Sequence, residues 1–204
     1  MSGLLILGAG GHGRVVADTA AATGRFERIA FLDDHPPQYA LPYPILGGCR
    51  EAERDTADWA FAVAIGDQST RQALQNYLEG LGKVLPVLVH PSAAIGSRVS
   101  MGAGTVVMAG AVINCDAIIG RGCIVNTGST VDHDCVLEDF VHLSPGTHLG
   151  GAVHVSAGSW LGVGSCVVNN CSITSDCMIG AGAVVCRDVT RPGIYIGVPA
   201  KRRE

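Results

Sequence analysis

Two stretches of this 204-residue chain carry the residue types that chemistry needs. The first is Gly8-Ala9-Gly10-Gly11-His12-Gly13, which follows the apolar run Leu4-Leu5-Ile6-Leu7 and precedes a helical pattern closed by Gly24. Glycines there permit a tight turn, let the backbone approach a ligand, and aim the first helix amides at an anion such as a pyrophosphate. A second apolar run, Ile29-Ala30-Phe31-Leu32, ends in Asp33-Asp34, where a carboxylate can accept hydrogen bonds from a ribose or a base. The second stretch is Asp132-His133-Asp134. An imidazole with an ordinary pKa near 6.5, set between two carboxylates, can take up and return a proton at neutral pH.

The element that must hold His133 is a repeat. Counting in sixes, the first position of sixteen successive hexads, from Ile95 and Met101 to Ile179 and Val185, is always large and apolar. The fifth position, from Val99 to Val189, is never larger than Val. With about half of residues apolar in an ordinary chain, the first run alone has a chance of about one in 10^5, so the period is real. Such a repeat predicts a parallel β-helix in which three hexads make one triangular coil, the aliphatic filling the axis and the small residue fitting the corner. The repeat makes a little over five coils, a prism roughly 25 Å tall at the strand spacing of about 4.8 Å. His133 is the third residue of its hexad, away from the aliphatic position, so it could face a groove. Stacking at one coil per 18 residues places Asn114 beneath Asp132 and Asp116 beneath Asp134, which leaves Asp132 a rival to Asp134 for orienting the imidazole.

The glycine turn needs a different scaffold. Strand, turn, helix, strand and acid is the layout of a nucleotide-binding βαβ unit. Four prolines over 36–44 read as an irregular loop. A third strand over 59–65 ends in Gly66-Asp67, a helix over 69–81 carries Leu74, Tyr77, Leu78 and Leu81 on one face, and a last strand is expected over 84–89. The crevice of this small open α/β sheet lies where Gly8 to Gly13, Asp33-Asp34 and Gly66 converge. The match to G-x-G-x-x-G suggests NAD, yet the stretch before the prism is too short for the two mononucleotide halves a dinucleotide needs. The expected fold is therefore α/β plus all-β: a Rossmann-like N-terminal domain over 1–90, a β-helix over 91–190 and a tail over 191–204.

Composition narrows the partners. Net charge is −4, and no basic run points to nucleic acid or a membrane surface. Of eight cysteines, Cys123, Cys135, Cys171 and Cys177 fall at the small inward position, and none forms a CxxC or Cys/His metal spacing. They read as small hydrophobes in a reducing compartment, with no metal. The apolar run at Leu4 is too short to span a bilayer and has no positive region before it, so a cytoplasmic location is expected.

Gly-Ala-Gly-Gly-His-Gly, Phe-Leu-Asp-Asp, Ala-Ile-Gly-Asp, His-Pro, the hexads, and Ile-Gly-Val-Pro-Ala-Lys at 196–201 occur in an order similar to the PglD/NeuD-like bacterial nucleotide-sugar acetyltransferases, a branch of the hexapeptide-repeat acyltransferases. The resemblance covers essentially the whole chain. It implies a left-handed β-helix, a homotrimer, a front domain that holds a UDP- or GDP-linked sugar through Gly8, Gly10, Gly11, His12, Asp33, Asp34 and Gly66, and acetyl-CoA lying along the prism between subunits. It also implies that His133 is the general base and Asp134 its orienting carboxylate, an Asp where the family pattern has Glu. His142, Gly151, Val163 and Ala181 map to acetyl-CoA contacts, Gly151 offering its amide to the oxyanion. N-acetylation of a nucleotide-linked 4-aminosugar is the leading activity. O-acetylation of a sialic acid type sugar and a non-catalytic nucleotide-binding scaffold are the alternatives.

Overall fold

The computed structural model describes residues 2–39, 41–54 and 56–203. The N-terminal lobe is a three-stranded parallel sheet in the order β2-β1-β3, with β1 at Gly3–Leu7, β2 at Arg28–Leu32 and β3 at Trp59–Val63. All of β1 is buried because helices cover both faces, which is why its sequence is a continuous apolar run rather than an alternation. Helix α1 (Gly11–Ala22) packs Val16, Ala17 and Ala20 on Leu4 and Ile6. Helix α2 (Gln68–Gly80) sets Leu78 against Leu5, Leu7 and Phe61 on the other face.

The rest of the chain is a column of two-residue strands stacked one coil apart. Ile124-Val125, for example, pairs with Val106-Val107 on one side and His142-Leu143 on the other. The three faces carry eight, six and five strands. Fourteen of the sixteen hexad-leading residues, Val107 to Val185, share one buried cluster along the axis. The first two do not, because Ile95, 39% exposed, and the half-buried Met101 lie at the foot of the column, where no coil covers them.

The column also takes chain at both ends. Leu88–Val89 (β4), expected as the last strand of the lobe's sheet, pairs instead with Val106-Val107. That segment stays tied to β3 through the Phe61 amide, which donates 2.9 Å to the Val84 carbonyl, and through Leu85, which packs with Phe61 and Val63. Leu88 is drawn away because it fills the junction between lobe and column, beside Val106, Met108 and Ile124. Past the last hexad, Gly193–Ile196 adds a further strand on Cys177–Ile179, and Lys201–Arg202 folds back antiparallel on it.

Helix α2 buries only part of the face its leucines suggest. Leu78 is buried and Leu74 packs partly buried beside it, but Tyr77 and Leu81 are 38% and 39% exposed, whereas Arg71 and Gln75 are each only 1% exposed. These two lie one turn apart on the side of α2 that rests on an edge of the column, so that docking, rather than hydropathy, decides which face is buried.

The three edges of the column differ in how they turn. At 110, 128, 146, 164 and 182 every left-handed residue is glycine. On the edge between the six-strand and five-strand faces the corresponding residues are Arg98, Asp116, Asp134, Ala152 and Asn170, with φ between 55° and 62°. Asp and Asn adopt that conformation readily, whereas for Arg98 and Ala152 it costs roughly 1 kcal/mol or more. This edge thus carries side chains where another carries only glycine, and it is the edge that carries His133.

Candidate active site

His133 follows the strand Thr130-Val131 and stands on that edge with its side chain 55% exposed. Its Nδ1 lies 2.7 Å from Asp134 Oδ2. A carboxylate only accepts, so the imidazole proton sits on Nδ1 and Nε2 is left as the free base. The hydrogen bond to Asp134 is the main cause that holds the imidazole pKa above its usual value. Asp132 takes the other role. Its Oδ1 accepts the His133 backbone amide at 2.8 Å and the Asn114 side-chain amide at 2.8 Å, so it pins the backbone of the corner to the coil before it. The sequence left these two carboxylates as rivals; the geometry divides the work between them.

The free Nε2 is directed at Gly151 on the next coil. A Cβ built on Gly151 would lie 2.5 Å from Nε2, so this position must lack a side chain for the ring to stay where it is. Gly151 gives its carbonyl to the Asn170 amide at 2.9 Å, while its own amide donates to no protein acceptor among the described residues. The imidazole and this amide border an open groove of about 380 Å³ whose far wall is Asn169 and Asn170. A base and a free backbone donor side by side suit a reaction in which a proton leaves and an oxyanion forms.

In the lobe, Gly8 has φ 102°, and a side chain there would strike the Ala64 carbonyl. Gly13 must approach the Gly8 carbonyl too closely for any Cβ. At Gly10 and Gly11, by contrast, an added Cβ would meet open space, and α1 begins there with neither a side-chain cap nor an acidic residue in its first turn. Its leading amides are left for an anion. Asp33 already holds two backbone amides: Oδ2 takes the Ala9 amide at 2.7 Å and Oδ1 the His35 amide at 2.8 Å, which fastens the glycine turn to the end of β2 and leaves a further lone pair on each oxygen. Asp34 similarly accepts the Cys49 amide at 2.9 Å.

His12 and His142, from the two halves of the chain, meet where the lobe sits on the eight-strand face. Their rings are 6.5 Å apart, and His142 lies flat against Trp160 at 5.5 Å and 2°. Burial, with the Arg71 charge adding to it, lowers His12 to about 4 and His142 to about 3, so both are neutral at pH 7. His12 Nε2 and both nitrogens of His142 are buried with no protein partner. Buried polar atoms without partners are uncommon, and here three are gathered in one place.

The remaining expected positions do not gather around one point of a single chain. Val163, 57% exposed, and Ala181 stack on the all-glycine edge, whereas Gly151 belongs to the His133 edge and His142 to the face beneath the lobe. Among the described residues no His, Cys, Asp or Glu group has the arrangement to hold a metal ion, and no helix is long and apolar enough to cross a membrane.

Known proteins share this fold. The profile of the PglD N-terminal domain matches residues 3–78. The acetyltransferase domain of PglB from Neisseria gonorrhoeae superposes with a TM-score of 0.97 at 38% identity, covering 100% of both chains. The chain belongs to the PglD-like family of nucleotide-sugar acetyltransferases. Two complexes within the family are informative. The same PglB domain is known in complex with acetyl coenzyme A (TM-score 0.96, 38% identity, 99% of each chain). PerB from Caulobacter crescentus is known with CoA and GDP-perosamine (TM-score 0.94, 38% identity, 100% of this chain and 98% of that one). A UDP-N-acetylbacillosamine N-acetyltransferase of Bacillus subtilis is 37% identical over 113 residues, an alignment that spans about half of each protein, 53% of this chain and 52% of the relative.

Within this family member, two residues of the site escaped sequence reading. Trp160 could have been noticed, because it sits one coil above His142, and 18-residue stacking brings their side chains onto one another. Arg71 gave no signal: an arginine on a surface-patterned helix reads as a solvated charge, and only the docking of lobe on column buries it.

Proposed function

We propose that this family member transfers the acetyl group of acetyl-CoA to the 4-amino group of a nucleotide-linked aminosugar, in a direct reaction within a ternary complex. The observation that carries the reading is the His133 imidazole, with Nδ1 held by Asp134 and Nε2 free beside an undonated Gly151 amide. Nε2 removes the proton from the attacking amine as nitrogen adds to the thioester carbonyl; the Gly151 amide meets the oxyanion, and the imidazolium returns its proton to the departing thiolate. The nucleotide-sugar lies over Gly8, Gly10, Gly11 and His12, its diphosphate at the start of α1 and its sugar reaching toward His142, with Asp33, Asp34 and Gly66 lining the nucleotide end. Acetyl-CoA runs along the column past His142, Gly151, Val163 and Ala181. Relatives with the same architecture bind these two classes of substrate, PglB acetyl coenzyme A and PerB GDP-perosamine.

His133 and the lobe junction lie on different sides of one chain, so the reaction needs a second copy to bring them together. A homotrimer supplies that arrangement three times, each seam pairing the His133 edge of one copy with the lobe of the next. A cytoplasmic setting fits eight cysteines that are all free thiols.

The test is to offer purified protein acetyl-CoA with a panel of UDP- and GDP-linked sugars and to follow thiol release. Turnover confined to 4-aminosugars is the expected result. Turnover only with hydroxyl acceptors would replace nitrogen by oxygen, and NAD binding without any transfer would reduce the protein to a scaffold. His133→Ala should lose at least about a hundredfold in rate with the oligomer intact; an unchanged rate would move the base elsewhere.

A further inference from the structure

Among the described residues Arg71 is the largest fully buried side chain, 1% exposed, and no carboxylate forms a hydrogen-bonded ion pair with it. Its hydrogen bonds go to main-chain carbonyls, with the Asp67 carboxylate adding a longer-range attraction. Nη1 donates to Ile65 O at 3.1 Å and Gly66 O at 2.9 Å, at the turn that leaves β3. Nε donates to Gly122 O at 3.0 Å and Nη2 to Phe140 O at 2.8 Å, both on the column. Four of the five guanidinium hydrogens are thus used, two on each half of the molecule. Burial lowers its pKa only to about 10, so the charge persists at pH 7.

A buried cation is costly unless every hydrogen bond is made, and a hydrophobic strut of the same volume would hold the two halves together as well or better. What the fork adds is direction, because four hydrogen bonds to fixed carbonyls define one relative placement of two rigid bodies. The neighbours are built around the same contact. Gln75, one turn on, donates to Ala103 O at 2.9 Å, and its amide fills the space that a side chain on Gly104 or Gly122 would take. Phe140, whose carbonyl Arg71 reaches, holds a left-handed turn with φ 60° on an edge where Gly104, Gly122 and Gly158 do so as glycines. The rings of His12 and His142, whose buried nitrogens lack protein partners, lie 6.5 Å apart at the junction that this clamp closes.

We propose that Arg71 is a positioning residue: its guanidinium locks the Ile65-Gly66 turn of the lobe to the column, and so fixes the spacing between His12 and His142 in which the substrates meet. The lock stands on geometry alone; the part concerning substrates rests on the function proposed above.

Arg71→Met and Arg71→Lys in the full chain separate the two parts. Amide hydrogen exchange, read by mass spectrometry, should quicken at least about tenfold over residues 65–72 in both variants, while peptides from 142–185 stay as in the parent. The KM for the nucleotide-sugar should rise at least about tenfold, with the KM for acetyl-CoA changed less than about threefold. A merely structural role would lower the fraction of folded protein without separating the two KM values. Unchanged exchange over 65–72 overturns the lock, whatever happens to activity. Quickened exchange with an unchanged sugar KM overturns its part in substrate placement. If the parent protein transfers acetyl to no nucleotide-sugar, the functional reading fails and the exchange measurement still decides the lock. If neither variant folds, proton exchange at the parent's Arg71 Nε–H decides it by NMR. Slow exchange is expected, and the rate of a solvated arginine would overturn the proposal.

Discussion

Substituting Gly151 by alanine is the sharpest perturbation of the proposed site, because it adds one methyl group and removes no polar atom. The new Cβ would stand 2.5 Å from His133 Nε2, 2.7 Å from Cε1 and 3.2 Å from Cδ2, against roughly 3.5 Å or more for an ordinary carbon contact. Something must move by about an ångström. The backbone of Gly151 is not in the left-handed region that demands glycine, whereas the His133 ring is exposed and free to swing. The ring therefore yields, leaving Asp134 and the groove. Since the added group displaces a surface side chain rather than the core, the melting temperature should stay within a few degrees of the parent. The Gly151 amide is retained, so the proposed oxyanion donor is not what is lost. The rate should fall by the hundredfold or more that a misplaced general base costs. Acetyl transfer followed by thiol release, with circular dichroism melts alongside, measures both. A double-mutant cycle isolates the cause: if Gly151 acts through His133, His133→Ala with Gly151→Ala should be no slower than His133→Ala alone. A Gly151→Ala enzyme within about threefold of the parent would refute the placement of the base.

Three further outcomes follow from the same geometry. The Asp134 hydrogen bond holds His133 above its usual pKa, and the base works only when unprotonated, so the acid limb of kcat/KM should lie above 6.5 and move to lower pH in Asp134→Asn; a limb that stays in place would assign it to another group. His12 and His142 are lowered to about 4 and about 3, so in the unfolded chain they take up protons near 6.5 that the folded one refuses. Stability is then lost as pH falls from about 6.5 toward 4, by up to about 1.4 kcal/mol per pH unit for each imidazole, and His142→Gln should flatten that slope in urea titrations. In the column, Ile113→Ala, at 0% exposed, should cost about 2–5 kcal/mol in the same assay, whereas Ile95→Ala, 39% exposed at the open foot, should cost well under half as much; equal costs would mean that another surface covers the foot.

How far the sequence alone reaches depends on whether a position obeys a rule that repeats. The column was legible because one constraint, an aliphatic on the axis and a small residue at the corner, is imposed sixteen times, and the structure departs from it only where repetition stops, at Ile95 and Met101. The stacking of Asn114 under Asp132 was legible for the same reason. What escaped is set by contacts made once. The chain over 84–89 has the composition of a sheet strand, and nothing local says that Leu88 will leave β3 for the column. The leucines of α2 outrank Arg71 and Gln75 on any hydropathy scale, yet the arginine is buried because four carbonyls from two separate units happen to converge on it. The candidate site lies at the meeting of these two regimes. The repeat delivers the His133 imidazole and the Gly151 vacancy to a fixed edge, and a singular docking gathers His12 and His142 where the hexads predict nothing. A chain with the same hexads and no Arg71 should build the same column and present the same His133, but lose the register of the lobe against it. Specificity for the sugar would then suffer before the chemistry did.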